Sequence, residues 1–293
     1  MLRTYPFKLV NVFAEQHFGG NPLAVFPQAD GLSDEEMQQI AKQFNLSETV
    51  FAFNSQTAEA DLRIFTPAYE LPLAGHPTLG CAYVLQQQRQ LPEQFVLNTR
   101  AKAVKLTGKN AKMELAIQGY DIKSCHASHS QLAKATGLNQ TQIADTAYWL
   151  NSGSPQLLLQ LNARSALDDI VIDIATLNDI CEKDHNRTVI YLWYEENEII
   201  FARLFYVANG ALFEDSGTGS ACANLGAYFL SQNKYPLERQ VHQGDQMDRP
   251  NRLTLKLDEQ QTIYVGGQVI EVGEGVFKLP LKAVGFGNLY LLA

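Results

Sequence analysis

The chain runs through one order of elements twice, and this repetition constrains its fold more than any other feature. In the first half, Tyr5–Phe13 alternates like a strand, Phe18-Gly-Gly-Asn-Pro22 reads as a turn, and Leu23–Phe26 as a second strand. Ser33-Asp-Glu-Glu36 is a capping-box sequence, followed by Met37, Ile40, Ala41 and Phe44 at helical spacing. Strands are expected at Thr49–Phe53 and Asp61–Thr66, after which the loop Ala74-Gly75-His76-Pro77 opens a helix through Leu79, Ala82, Tyr83 and Leu85. The second half follows suit. Trp149-Leu150 leads to the turn Ser152-Gly-Ser-Pro155 and the apolar run Leu157–Leu161. Asp173 caps a helix carrying Ile174, Leu177 and Ile180. Strands at Thr188–Tyr194 and Ile199–Tyr206 precede the loop Ser216-Gly-Thr-Gly-Ser220, which opens a helix through Cys222, Leu225, Tyr228 and Phe229. Arg63-Ile-Phe65 answers Arg203-Leu-Phe205, and Leu79-Gly80 answers Leu225-Gly226. Two similar α/β domains follow, 1–122 and 123–293, joined near 118–130, with the segment 280–293 packing back on the first. A cleft between them is the natural place for a site.

Composition narrows what such a site can do. A net charge of −8 argues against a nucleic-acid or anionic-membrane partner. No apolar stretch has the length needed to span a bilayer. The cysteines Cys81, Cys125, Cys181 and Cys222 are scattered without CxxC spacing, which reads as a reducing, cytoplasmic setting. Cys125-His126-Ala-Ser-His129 lacks a matching second ligand pair, so no metal site is expected there. Without a Walker loop, an HExxH or a GxGxxG after a strand, no cofactor is expected either.

The two glycine loops carry the functional signal. A helix start leaves N–H groups unpaired and holds about half a positive charge, so it attracts carboxylates. Gly75-His76 and Gly219-Ser220 each sit at such a start, one per domain, and glycine lets a ligand approach the backbone. Both ends directed at one small acid suit proton abstraction beside its carboxylate, because preformed donors stabilise the charge that develops. Glu48, between a helix end and an apolar strand, is either a solvated strand-edge residue or a base whose pKa burial raises toward the working pH. The repeat aligns Glu48-Thr-Val with Arg187-Thr-Val and Asp215 near Leu73, so neither acid has a counterpart. That asymmetry fits directional proton transfer better than a symmetric racemase.

At these residues the chain resembles the PhzF-like family of phenazine biosynthesis, whose relatives adopt the diaminopimelate epimerase fold. The resemblance rests on Asn11-Val-Phe13 with Gly20-Asn-Pro22, Ser47-Glu48-Thr49, Phe65-Thr-Pro67 with Glu70, Gly75-His76-Pro-Thr78, and Glu214-Asp215 with Thr218-Gly-Ser220. Gln243-Gly244 and Arg249-Pro250 add a weaker marker. It implies an α+β fold of two pseudo-symmetric domains, each a mixed, largely antiparallel sheet wrapped round a central helix. It also implies a homodimeric, cofactor-independent isomerase or epimerase of a small carboxylate substrate. By that resemblance Glu48 is the catalytic acid/base, His76 and Asp215 join it, and Ser220 with the Gly75, His76, Gly219 and Ser220 backbone holds the substrate. His76 stands open as hydrogen-bonder or proton carrier. Tyr69 and Tyr206 stand open as cleft or core residues. A silent metabolite- or protein-binding member of the fold, and a racemase using Asp215 as second base, are the alternatives. Ala74 and Ser216 occupy the positions where diaminopimelate epimerases carry cysteines, which speaks against a two-thiol mechanism. Ser216-Gly217 replaces the family's usual proline, a departure expected to loosen the loop.

Overall fold

In the first half of the chain, strands β1 (Leu2–Val12), β2 (Asn21–Phe26), β3 (Thr49–Phe53), β4 (Asp61–Phe65), β5 (Glu70–Leu71), β6 (Gln94–Asn98), β7 (Ala103–Lys109) and β8 (Lys112–Ile117) curl around helix α2 (Gly75–Arg89). Helix α1 (Asp34–Phe44) lies outside them. The second half repeats the plan. Its strands are β9 (Asp121–Ser124), β10 (Tyr148–Asn151), β11 (Gln156–Gln160), β12 (Val189–Glu196), β13 (Ile199–Ala208), β14 (Ala211–Asp215), β15 (Leu237–Gln243), β16 (Asn251–Leu257) and β17 (Ile263–Pro280). Its helices are α3 (His129–Thr136), α4 (Ile174–Asp184) and the central α5 (Gly219–Ser231). This computed structural model describes residues 2–185 and 187–281.

Pairing makes the repeat explicit. β2 is parallel to β3 as β11 is to β12, and β4 is parallel to β6 as β13 is to β15. The remaining neighbours within each half run antiparallel. Register also corrects the alignment read from short matches. Phe51 faces Arg63 and Phe65 faces Glu70, as Leu192 faces Arg203 and Phe205 faces Glu214. Thr49 therefore corresponds to Ile190, Glu48 to Val189 rather than Arg187, and Asp215 to Leu71 rather than Leu73. Neither carboxylate gains a counterpart from this shift. The halves are joined by β17. Its first part lies between β16 and β8, and Val269–Pro280 then runs antiparallel to β1, ending with Pro280 opposite Leu2. From residue 282 onward the terminal segment expected to pack back lies outside the described residues.

Small residues explain why α2 and α5 sit inside. Residues 76–82 of α2 are buried on every side, and so are residues 221–227 of α5. A helix buried all round needs no polar stripe. A Cβ on Gly80 would fall 2.4 Å from a Leu23 methyl, and one on Gly226 2.8 Å from an Ile263 methyl. The paired Leu-Gly match is thus a packing requirement in both helices. By contrast, α1 buries only Met37, Ile40 and Ala41, over an aromatic cluster that includes Phe26 and Phe51.

Candidate active site

Placing both central helices inside sheets brings their N-terminal ends together. A Cβ on Gly75 would lie 3.9 Å from Gly219 Cα, and one on Gly219 would lie 3.9 Å from the His76 backbone nitrogen. Capping separates these ends from the others. Ser33, Ser128 and Asp173 accept hydrogen bonds from the first turns of α1, α3 and α4. Ala74 and Thr218 make no such bond at α2 and α5, whose first turns also lack acidic residues. Two sets of uncapped donors thus converge, in the arrangement that binds an anion. Beside them is a cavity of about 60 Å³ bordered by Gly75, Gly219, Ser220, Ser154 and apolar side chains such as Leu115 and Val265.

Glu48 follows α1, which ends at a left-handed Asn45, and precedes β3, whose Thr49 pairs with Ala24. Only 18% of its side-chain surface is exposed, and Oε2 lies 3.3 Å from His76 Nδ1. Burial pushes the carboxyl up to about 8, the nearby Asp215 charge adds to this, and Arg187 opposes it. His76, in the first turn of α2, is 6% exposed. Burial drives its imidazole down to about 3, so the ring is neutral at physiological pH. Its Nε2 has no hydrogen-bond partner. A group that is neutral and unsatisfied on one face can hydrogen-bond to Glu48 or to a ligand.

Asp215 ends β14, and burial raises its carboxyl. Thr218 Oγ1 donates to its Oδ2 at 2.5 Å, while Asn21 Nδ2 donates to Oδ1 at 3.1 Å. The Ser216-Gly217 loop is pinned rather than loosened. Asn21 also donates to the Gly217 carbonyl at 3.0 Å, and Gln243 Nε2 to the Asp215 carbonyl at 2.7 Å. A Cβ on Gly217 would meet Asn251 Oδ1 at 2.2 Å. Bidentate Arg63–Glu70 and Arg203–Glu214 pairs brace the strands that lead into the two loops. Ser220 Oγ accepts from Gln156 Nε2 at 2.8 Å. Among the open residues, Tyr69 is 58% exposed, and Tyr206 is half-buried, stacked on Phe213.

Sequence reasoning missed Asn21, Gln156 and Thr218 as site-builders. Asn21 reads as a turn residue in the sequence, and its partner Asp215 lies in the other half of the chain. The Cys125 segment gained an unforeseen neighbour, because Cys125, His126 and Asp184 place potential ligand atoms within 4.8 Å of one another. Asp184 already accepts from Lys123 at 2.6 Å, His126 Nδ1 at 2.8 Å and Trp149 Nε1 at 3.0 Å. That network ties α4 to β9 and β10.

The phenazine biosynthesis-like (PhzC-PhzF) family model matches residues 10–275. The chain belongs to this family. An uncharacterised isomerase of Pasteurella multocida is 50% identical to it over 283 residues, 96% of each chain. The trans-2,3-dihydro-3-hydroxyanthranilate isomerase of Pseudomonas aeruginosa is 31% identical over 254 residues, 84% of this chain and 88% of its own. A PhzF-family protein of Bacillus anthracis has the same fold, with a TM-score of 0.84 at 23% identity, covering 95% of this chain and 100% of its own. The protein is thus a PhzF-like isomerase with the family's α+β fold. Among the described residues, no helix is long and apolar enough to cross a membrane.

Proposed function

We propose that the protein moves a carbon-bound proton on a small carboxylic acid, with Glu48 as the acid/base. The observation that carries this reading is the meeting of two uncapped helix ends beside a buried carboxyl held at about 8. The helix ends grip the substrate carboxylate and stabilise the enediolate that forms when Glu48 takes the adjacent proton. Glu48 then returns the proton on the same face to a conjugated carbon, which completes an isomerisation without a second acid on the opposite face. Neutral His76 holds the Glu48 carboxyl in place. Asp215, engaged by Thr218, Asn21 and Gly217, anchors the second loop. This engagement favours one mobile base over the two that a racemase needs.

The test is exchange of carbon-bound hydrogen in D₂O, followed by NMR across a panel of small unsaturated and α-substituted acids. Wild type is expected to incorporate deuterium into at least one acid, and Glu48→Gln to lose at least about a hundredfold of that rate. Equal exchange by the two proteins would remove Glu48 from the chemistry.

A further inference from the structure

Two cations at the cleft have no ion pair among the described residues, Lys102, which borders the cavity, and Arg187, whose anchoring is the more defined. Arg187 is exposed, and its Nη1 donates to Ser154 Oγ at 2.8 Å. No carboxylate pairs with it among the described residues. Ser154 borders the cavity together with Gly75, Gly219 and Ser220. Its turn is held rigidly: buried Asn224 donates to the Ser154 carbonyl at 2.9 Å and accepts from the Ser152 backbone at 2.8 Å. A guanidinium has five N–H donors in a fixed fork, so a single bond to Ser154 leaves the rest available.

Other arginines of the fold show what this one lacks. Arg63, Arg203, Arg239 and Arg252 each hold a carboxylate, and Arg89, Arg164 and Arg249, which hold none, are taken up by backbone carbonyls, the Phe201 ring and Asn11. An arginine left without one, anchored beside two anion-binding helix ends, is complementary to an anionic group brought by a ligand. Its planar fork suits a carboxylate. We infer that Arg187 receives a second carboxylate of the substrate, whose first carboxylate sits at the Gly75 and Gly219 helix ends, so that the isomerase acts on a dicarboxylic acid. The inference rests on the proposed carboxylate site at those ends. It makes Arg187 a specificity-determining residue contributed by the second half of the chain, whereas Glu48 comes from the first.

Succinate and butyrate separate the two ideas, because they share a four-carbon skeleton and differ in one carboxylate. Each is titrated into full-length, isotope-labelled protein while the Gly75 and Gly219 amide resonances and the Arg187 Nε–H resonance are followed. Both acids are expected to shift the glycine amides. Only succinate is expected to shift Arg187, and to bind about tenfold tighter, the gain typical of a charge-assisted hydrogen bond. Arg187→Met should lower succinate affinity about tenfold, and Arg187→Lys should restore part of it. Equal affinity for both acids, with the glycine amides responding, would overturn the role of Arg187 and leave the helix-end site standing. Glycine amides silent to both acids would overturn the helix-end site and this inference with it. A preference for succinate that survives Arg187→Met but disappears in Lys102→Met would assign the second carboxylate elsewhere.

Discussion

Replacing Glu48 with glutamine should stabilise the protein, and should do so only as the pH rises. The native carboxyl is held at about 8, against 4.5 in the unfolded chain, so between those values the folded state keeps a proton that the unfolded state has released. The resulting loss of stability is absent below pH 4.5, grows with each unit above it, and levels off above about 8. At about 1.4 kcal/mol per unit, the interval from 4.5 to pH 7 corresponds to about 3.4 kcal/mol. The 18% of the side chain still in contact with water offsets part of this, leaving an expected gain of about 1–3 kcal/mol for Glu48→Gln at pH 7. Glutamine keeps the size and a hydrogen-bonding oxygen for His76 and never ionises. Urea denaturation of both proteins at half-unit steps from pH 4.5 to 8.5 measures the difference directly. The two stabilities should nearly coincide at the acid end and diverge toward the alkaline end. A gap that does not change with pH, or a mutant that is less stable at pH 8, would refute the burial argument for Glu48.

Other outcomes follow from neighbouring geometry. The His76 imidazole, held at about 3, should show no ring-proton titration by NMR between pH 5 and 9. Its contribution to stability is complete above 6.5 and declines as pH falls toward 3, opposite in sign to the Glu48 effect. Two glycines of one helix should respond in opposite ways to alanine. Gly75→Ala meets nothing nearer than 3.9 Å and should fold with unchanged or slightly higher stability, by up to about 1 kcal/mol, while losing at least about tenfold in proton exchange. Gly80→Ala places its methyl 2.4 Å from Leu23 and should lose about 1–3 kcal/mol by urea denaturation.

Much of this architecture was legible because the repeat uses local signals. Capping boxes, glycine loops and alternating strands announce themselves within a few residues, and the helices opening at Gly75 and Gly219 begin where the loops place them. Glu48 and His76 each adjoin such a landmark, and the family resemblance named them together. What escaped was non-local. The Thr-Val dipeptides after Glu48 and Arg187 invited an alignment two residues out of register, because the true register is set by parallel pairing of β3 with β2 and of β12 with β11. The same holds for β17, whose pairing with β1 joins residues more than 250 positions apart. Asn21 meets Asp215 across 194 positions, and nothing in its local sequence identifies that partner.

Electrostatics links the two carboxyl-bearing halves of the cleft to the ligand. An anion placed on the helix ends adds negative charge beside Glu48, which Asp215 already raises. Binding a monocarboxylate alone would therefore push the Glu48 carboxyl still higher and weaken it as a proton acceptor at neutral pH, although the helix dipoles neutralise part of the added charge. Arg187 acts in the opposite direction, since its charge already lowers Glu48 in the free protein. A second carboxylate on Arg187 would consume that counterweight, so the proton-accepting form of Glu48 should be less available with a dicarboxylate bound than in the free cleft. The pH dependence of exchange then reports where ligand charge sits. Its rising limb should move to higher pH when Arg187→Met removes the positive charge, and a limb that stays in place would separate Arg187 from the Glu48 carboxyl altogether.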